Sequence, residues 1–237
     1  MVEMNRRNFI NTAAFAGLGL GLSGLSAACS KGAKFNLEEL YPIYKDGKYI
    51  EKNFEHLTKN DKLGLSPEII KNHLGLYSNY VKNVNQAEAE MSVGNITEFG
   101  IKHLAFSLNG MALHDIYFTN MTTEASKRSA ALNKAIDKTF GSFDAYLKNL
   151  SDLAMKVEGW SVTGLNLLNG KIFNYALQDH SANFPNFVVP ILALDVYEHA
   201  YVADFKKEGK AKYIEAFNEI VDWDIVSRRF DSVKNLV

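Results

Sequence analysis

One cysteine, Cys29, is all that 237 residues supply. An internal disulfide is therefore excluded, and oxidising surroundings would do no structural work. Neither sign of charge dominates: 26 basic side chains stand against 27 acidic ones, a formal net charge of -1. That leaves no general field for nucleic acid or an anionic bilayer, so no nucleic-acid partner is expected and attraction of a charged substrate has to be local. Past about residue 35 there is no internal repeat and no low-complexity segment. What is present, 47% hydrophobic and 12% aromatic residues, describes a globular protein of one or two domains with a sizeable core.

The first 34 residues are a different material. "NRRNFINTAAFAGLGLGLSGLSAACSKGA" carries a twin arginine (Arg6, Arg7), then Phe9 and Ile10, a mildly apolar Gly/Ala/Leu run, and small residues before Cys29. The run is too short and too glycine-rich for a membrane span, which needs roughly 20 strongly apolar residues. It reads as an export signal of the twin-arginine type, placing the mature chain in the periplasm or cell envelope. "SAAC" resembles a bacterial lipoprotein processing box, which would make Cys29 a lipid anchor; it fits plain cleavage after Ala28 as well.

From residue 35 to 122 the pattern is helical. "SPEIIKNHLGLYSNYVKNVNQAEAEM" opens on Ser66 as N-cap with Glu68 in the first turn, and its apolar and aromatic residues fall at helical spacing. A second helix is expected over Phe99 to Met121, and the two suggest a helical hairpin. Residues 123–237 change character. Helical segments at "SKRSAALNKAIDKTF" and "SFDAYLKNLSDLAMKV" give way to three candidate strands, "GWSVTGLNLL", "GKIFNYALQ" after an Asn169-Gly170 hairpin signal, and "FVVPILALD". A helix from about Val196 and another from Lys212 to Val221 follow. The expected class is α+β, with an N-terminal hairpin domain and a C-terminal α/β domain.

Of six histidines, His73 and His114 each lie on the apolar face of an expected helix, while Asp195 and His199 sit where the last strand becomes a helix. At i and i+4 an acid and a histidine project from one face and can bind the same ion. Three imidazoles and one carboxylate suit iron, manganese or zinc and leave room for a further ligand. Taken singly, Asp195 is most simply a helix N-cap, His73 or His114 a hydrogen-bonded core histidine and Glu198 a solvated charge. His56 and His103 keep that reading.

The wording around the other four carries more. "DVYEHAYV" resembles the D-x-W-E-H-A-Y-Y signature of the iron/manganese superoxide dismutases. "NHLGLYSNYVKNVN", "NGMALHDIYFTNM", "FGSFDAYLKNL", "EGWSVTGL" and "YIEAFNEIVDWDIVSRRF" are similar to that family's other segments in the same order, from about residue 36 to the C-terminus. The resemblance implies a helical hairpin packed on an α/β domain with a three-stranded antiparallel sheet, one iron or manganese ion per subunit, superoxide as substrate, and a homodimer. It further implies His73, His114, Asp195 and His199 as metal ligands. Tyr80 would be the tyrosine near the substrate channel, and Trp160 and Tyr117 would wall the pocket. Glu198 would reach across the dimer to the partner's ligand histidine and fix its tautomer.

In this family a hydrogen-bond donor beside the metal tunes its redox potential. It is a glutamine, four residues before the second ligand histidine or on the loop before the last strand. The helix position here is Gly110. The loop "LQDHSANF" offers Gln178, the favoured candidate, and His180. The first-helix motif is one residue short between His73 and Tyr80, leaving Leu76 and Tyr77 where the family has a histidine, and the second tyrosine of the signature is Val202. Both losses fall at the mouth of the site, so slower proton delivery or a modified dimer is expected. The competing function is a non-catalytic metal-binding envelope protein on the same fold.

Overall fold

The structure, a computed structural model, describes residues 37–237; the export signal and Cys29 lie outside the described residues. Two long helices, α1 (Pro67–Ser92) and α2 (Glu98–Thr119), form the expected hairpin. Each begins where a hydroxyl satisfies an orphan backbone donor. Ser66 accepts from Ile69 N at 3.2 Å, and Thr97 accepts from Gly100 N at 2.8 Å. Such a cap contributes about 1 kcal/mol. Helix α1 buries Ile69, Ile70, His73, Tyr77, Val81, Val84 and Ala87, a single stripe at 3.6-residue spacing. Helix α2 is amphipathic only at its start. From Gly110 to Phe118 nearly every residue is buried, because this half runs between α1 and the sheet.

The chain continues through α3 (Ala130–Phe140) and α4 (Phe143–Lys156) to strands β3 (Trp160–Asn166), β4 (Ile172–Leu177) and β5 (Val188–Asp195). The sheet is antiparallel in the order β4-β3-β5, so β3 is central and is buried along all but its last residue. Asn169 and Gly170 make the turn as the sequence implied, with Gly170 at φ 67°. A register shift falls between Thr163 and Gly164, where a Cβ on Gly164 would stand 2.4 Å from Val188 Cγ1. Only glycine fits that bulge. Helices α5 (Glu198–Phe205), α6 (Lys210–Glu219) and α7 (Trp223–Val233) complete the chain.

Residues 37–237 share one continuous hydrophobic core, drawn from the hairpin, the sheet and the C-terminal helices. Arg229, fully buried on α7, ties three segments together: it donates to Leu40 O at 2.6 Å, to Asn120 Oδ1, and to Ile191 O at 3.3 Å. Near the start of the described chain, Lys52 donates to the buried carboxylate of Asp115 at 2.9 Å, and Tyr77 Oη reaches the same carboxylate at 3.3 Å. Among the described residues no helix is long and apolar enough to cross a membrane.

Several boundaries differ from expectation. Helix α3 starts at Ala130 rather than Ser126, because Ser126 is engaged elsewhere: its hydroxyl donates to Val221 O and accepts from Trp223 N. The elements not anticipated include helix α7, a short helix at Leu37–Leu40 and a small hairpin of β1 (Ile43–Lys45) and β2 (Lys48–Ile50). The Asp46-Gly47 turn between Tyr44 and Tyr49 was the available signal for the hairpin.

Candidate metal centre

Strand β5 ends on Asp195, paired in register with Trp160 at the start of β3, so an acid and a large aromatic side chain arrive together at one end of the sheet. The Asp195 carboxylate is wholly buried, and its two oxygens divide their tasks. Oδ1 accepts from Tyr197 N at 2.8 Å, turning the chain into α5, while Oδ2 faces inward. Three imidazoles meet that inward oxygen. His73 Nε2 lies 3.1 Å away, His199 Nε2 3.3 Å and His114 Nε2 3.7 Å. All four ligand atoms fall within 4.8 Å of one another. His73 comes from α1, His114 from α2, and Asp195 and His199 from the β5–α5 junction; the sequence-predicted quartet is brought together from three elements.

The donor set fits one ion. His114 Nδ1 bonds Gly110 O at 2.6 Å, and a carbonyl can only accept, so Nδ1 carries the hydrogen and Nε2 keeps its lone pair. That Nε2 is buried with no hydrogen-bond partner among the described residues. An unmatched acceptor in a dry interior is costly unless something binds it. Burial pushes the His73 imidazole below its ordinary range and His114 well below, which favours the neutral form that coordinates metals. Burial alone would raise the Asp195 carboxyl, but the facing charge of His199 and the hydrogen bonds from His199 and His73 outweigh it and hold the group well below the carboxylate range. His199 moves the other way: burial would lower it, and Asp195 outweighs that and raises it.

Aromatic rings wall the cluster. Trp160 meets His114 edge-on at 4.9 Å, Tyr117 lies 5.0 Å from His73, and Tyr80 lies 5.1 Å from His114. Burial raises the Tyr80 hydroxyl to about 12, so it stays protonated and able to donate. Tyr197, which sequence reasoning passed over, stacks on His199 at 5.3 Å. Below the cluster Tyr213 donates to Asp195 O at 2.7 Å and bonds Tyr117 Oη at 3.0 Å. Glu198 is exposed beside His199, paired with Lys207 at 2.6 Å.

The two loop candidates for the donor beside the metal are placed differently. Gln178, favoured as the donor beside the metal, is exposed; its backbone carbonyl, not its amide, meets Tyr197 Oη at 3.4 Å. Strand alternation explains this, since Leu177 closes β4 facing the core and the next residue faces out. Asp179 then makes a tight turn, its Oδ1 accepting from Ser181 N at 2.6 Å and Ala182 N at 2.8 Å, and His180 swings in. The His180 ring is 1% exposed, 4.8 Å from Tyr80 and 5.7 Å from His114, and neither ring nitrogen has a partner among the described residues. Burial lowers its imidazole to about 4, so it is neutral at neutral pH.

Two buried imidazoles, a third that is partly exposed and one buried carboxylate around a single point, lined by aromatic rings, define a mononuclear metalloprotein built for a first-row ion. A family model described as the C-terminal domain of iron/manganese superoxide dismutases matches residues 128–229. A Mycobacterium avium protein named superoxide dismutase (Mn) is 34% identical over 167 residues, covering 67% of this chain and 80% of its own length. The superoxide dismutase (Mn) of Mycolicibacterium smegmatis matches to the same extent. A protein named superoxide dismutase (Fe), from Aquifex pyrophilus, is 29% identical over 192 residues, covering 75% of this chain and 89% of its own. The chain belongs to the iron/manganese superoxide dismutase family.

Proposed function

We propose that this enzyme turns two superoxide ions and two protons into dioxygen and hydrogen peroxide at one iron or manganese ion held by His73, His114, His199 and Asp195. The observation that carries the reading is the convergence of three Nε2 atoms on one inward-facing carboxylate oxygen, with His114 Nε2 buried and unmatched. When bound, the ion supplies the redox step, taking an electron from one superoxide and giving it to the next.

The chain's own groups do the rest. Asp195 compensates positive charge in a dry site, where one carboxylate is worth more than at the surface. Neutral His73 and His114 offer lone pairs without adding charge. Tyr80, half-buried at the edge of the cluster, and His180 behind it are the groups able to hold or pass protons, at Oη and at a ring nitrogen respectively. We assign the donor role to His180 rather than Gln178. Trp160, Tyr117 and Tyr197 exclude bulk water from the imidazoles.

His199 remains partly exposed, 32% by side chain, with Glu198 exposed beside it. That supports a homodimer in which the partner's Glu198 covers and orients this ligand. Leu76 and Val202 are apolar where the family resemblance implies polar gateway side chains, which supports slower proton delivery. Export through a twin-arginine signal, with or without lipid on Cys29, completes the proposal; mass spectrometry of the mature N-terminus tests it.

The enzymatic reading is tested by loading metal-free protein separately with iron and with manganese and following superoxide consumption beside Asp195→Ala. Activity with at least one metal, lost in the variant, is expected. Inactivity with both would leave the non-catalytic metal-binding reading.

A further inference from the structure

We infer that Asn109 is a positioning residue for His180, holding that imidazole against the metal-binding cluster from the same helix that carries His114. The inference rests on the reading of His180 as the hydrogen-bonding group of the site, and it adds what fixes that group in place.

His180 rides on an irregular stretch between β4 and β5, whose backbone hydrogen bonds do not continue the sheet. A ring carried by such a stretch is placed no better than the stretch is anchored. Asn109 supplies the anchor: its Nδ2 donates to His180 O at 2.6 Å. The acceptor is a carbonyl, so the amide nitrogen must be the donor and the side-chain orientation is fixed.

The next residue completes the arrangement. A Cβ on Gly110 would lie 3.0 Å from His180 Nδ1, so the absence of a side chain there is what lets the ring approach. The carbonyl of the same residue bonds His114 Nδ1. One dipeptide, Asn109-Gly110, thereby fixes the tautomer of a candidate ligand, clears the space for His180 and holds the His180 backbone. Phe106, one turn earlier, packs on the ring at 4.8 Å. Helix α2 determines the separation of His180 and His114 through these contacts, so a slack loop alone would not reproduce it.

The test uses Asn109→Ala, His180→Ala and the double variant, in full-length protein loaded with manganese to equal content. Reduction potential, followed by visible absorption in a mediated titration, and superoxide turnover are both measured. Asn109→Ala should cut turnover about tenfold and move the potential in the same direction as His180→Ala. In the His180→Ala background it should change neither, since residues acting through one another are not additive. Wild-type potential and turnover in Asn109→Ala, or an equal further loss in the absence of His180, would overturn the inference.

A readout independent of activity separates this from failure of the enzymatic reading. In metal-free protein the His180 ring Cε1–H resonance should be one sharp line in wild type and broadened or split in Asn109→Ala. An unchanged line overturns the positioning role even if the protein proves inactive. Should Asn109→Ala fail to fold, Asn109→Ser carries the same comparisons.

Discussion

Two glycines in neighbouring helices should respond with opposite signs to the same substitution. Gly75 in α1 and Gly110 in α2 are both helix-interior, where replacing glycine by alanine gains about 0.5–1 kcal/mol from the backbone alone. A Cβ at Gly75 meets nothing within 4 Å, so Gly75→Ala should keep that gain and raise the melting temperature by roughly 2–4 °C for each kcal/mol. A Cβ at Gly110 would stand 2.9 Å from Tyr80 Cδ1 and 3.0 Å from both Tyr80 Cγ and His180 Nδ1. Ordinary carbon contacts begin near ~3.5 Å, so two flat rings with little freedom must give way by about half an ångström. Overpacking of this kind costs about 1–3 kcal/mol. Set against the backbone gain, Gly110→Ala should be destabilising by roughly 0–2.5 kcal/mol, and it should lose activity because the rings that move are Tyr80 and His180. Urea denaturation of the metal-free proteins measures both variants without metal-linked effects. If Gly110→Ala is stabilised as much as Gly75→Ala, the tight packing of His180 between Tyr80 and α2 is wrong, and the assignment of the donor with it.

Metal removal should lower the melting temperature, because an ion that binds only the folded state adds about 2.7 kcal/mol at a hundredfold excess over its Kd; Asp195→Ala should abolish the difference between loaded and stripped protein in a thermal scan. Lys52→Met should cost about 3–5 kcal/mol near neutral pH, by leaving the Asp115 carboxylate buried without its cation. The pH sign follows from Asp115, whose carboxyl burial already raises above its usual value. A raised folded value makes the penalty present at higher pH and lost as pH falls through it, so the deficit of Lys52→Met should shrink on acidification; a deficit constant with pH in urea titrations would refute this. Arg229→Met should destabilise by several kcal/mol, since it strands Leu40 O and Asn120 Oδ1 in the core, and proteolysis should then cut first near residues 37–41.

The four metal-binding candidates were legible because each sits in a local pattern with a physical period: histidines on the apolar faces of two helices, and an acid and a histidine four apart at a strand end. The sheet was legible from an Asn-Gly turn and short apolar runs. What sequence could not give was direction at an irregular segment. Gln178 and His180 are two residues apart, and the choice between them depends on a one-residue change of facing made by the Asp179 turn, which no periodicity reports. Asn109 was invisible for a related reason: its partner is a backbone carbonyl 71 residues away, and carbonyls leave no mark on composition.

The seven-residue spacing from His73 to Tyr80 shows how a helix absorbs what reads as a deletion. Helix α1 runs without interruption from Pro67 to Ser92, and seven residues at roughly 100° each come within about 20° of two full turns. Tyr80 therefore returns to the face of His73, where it packs on His114 and His180. The shortening falls instead on the positions between. Tyr77 turns into the core, against Phe54 and Phe118, with its hydroxyl on Asp115, while Leu76 lands about 60° off the metal face on the other side and stays only half-buried. Tyr80 is thus retained on the metal face, while the two intervening positions hold a half-buried leucine at 76 and a tyrosine at 77 whose hydroxyl is committed to Asp115, so neither offers a free polar group to the opening.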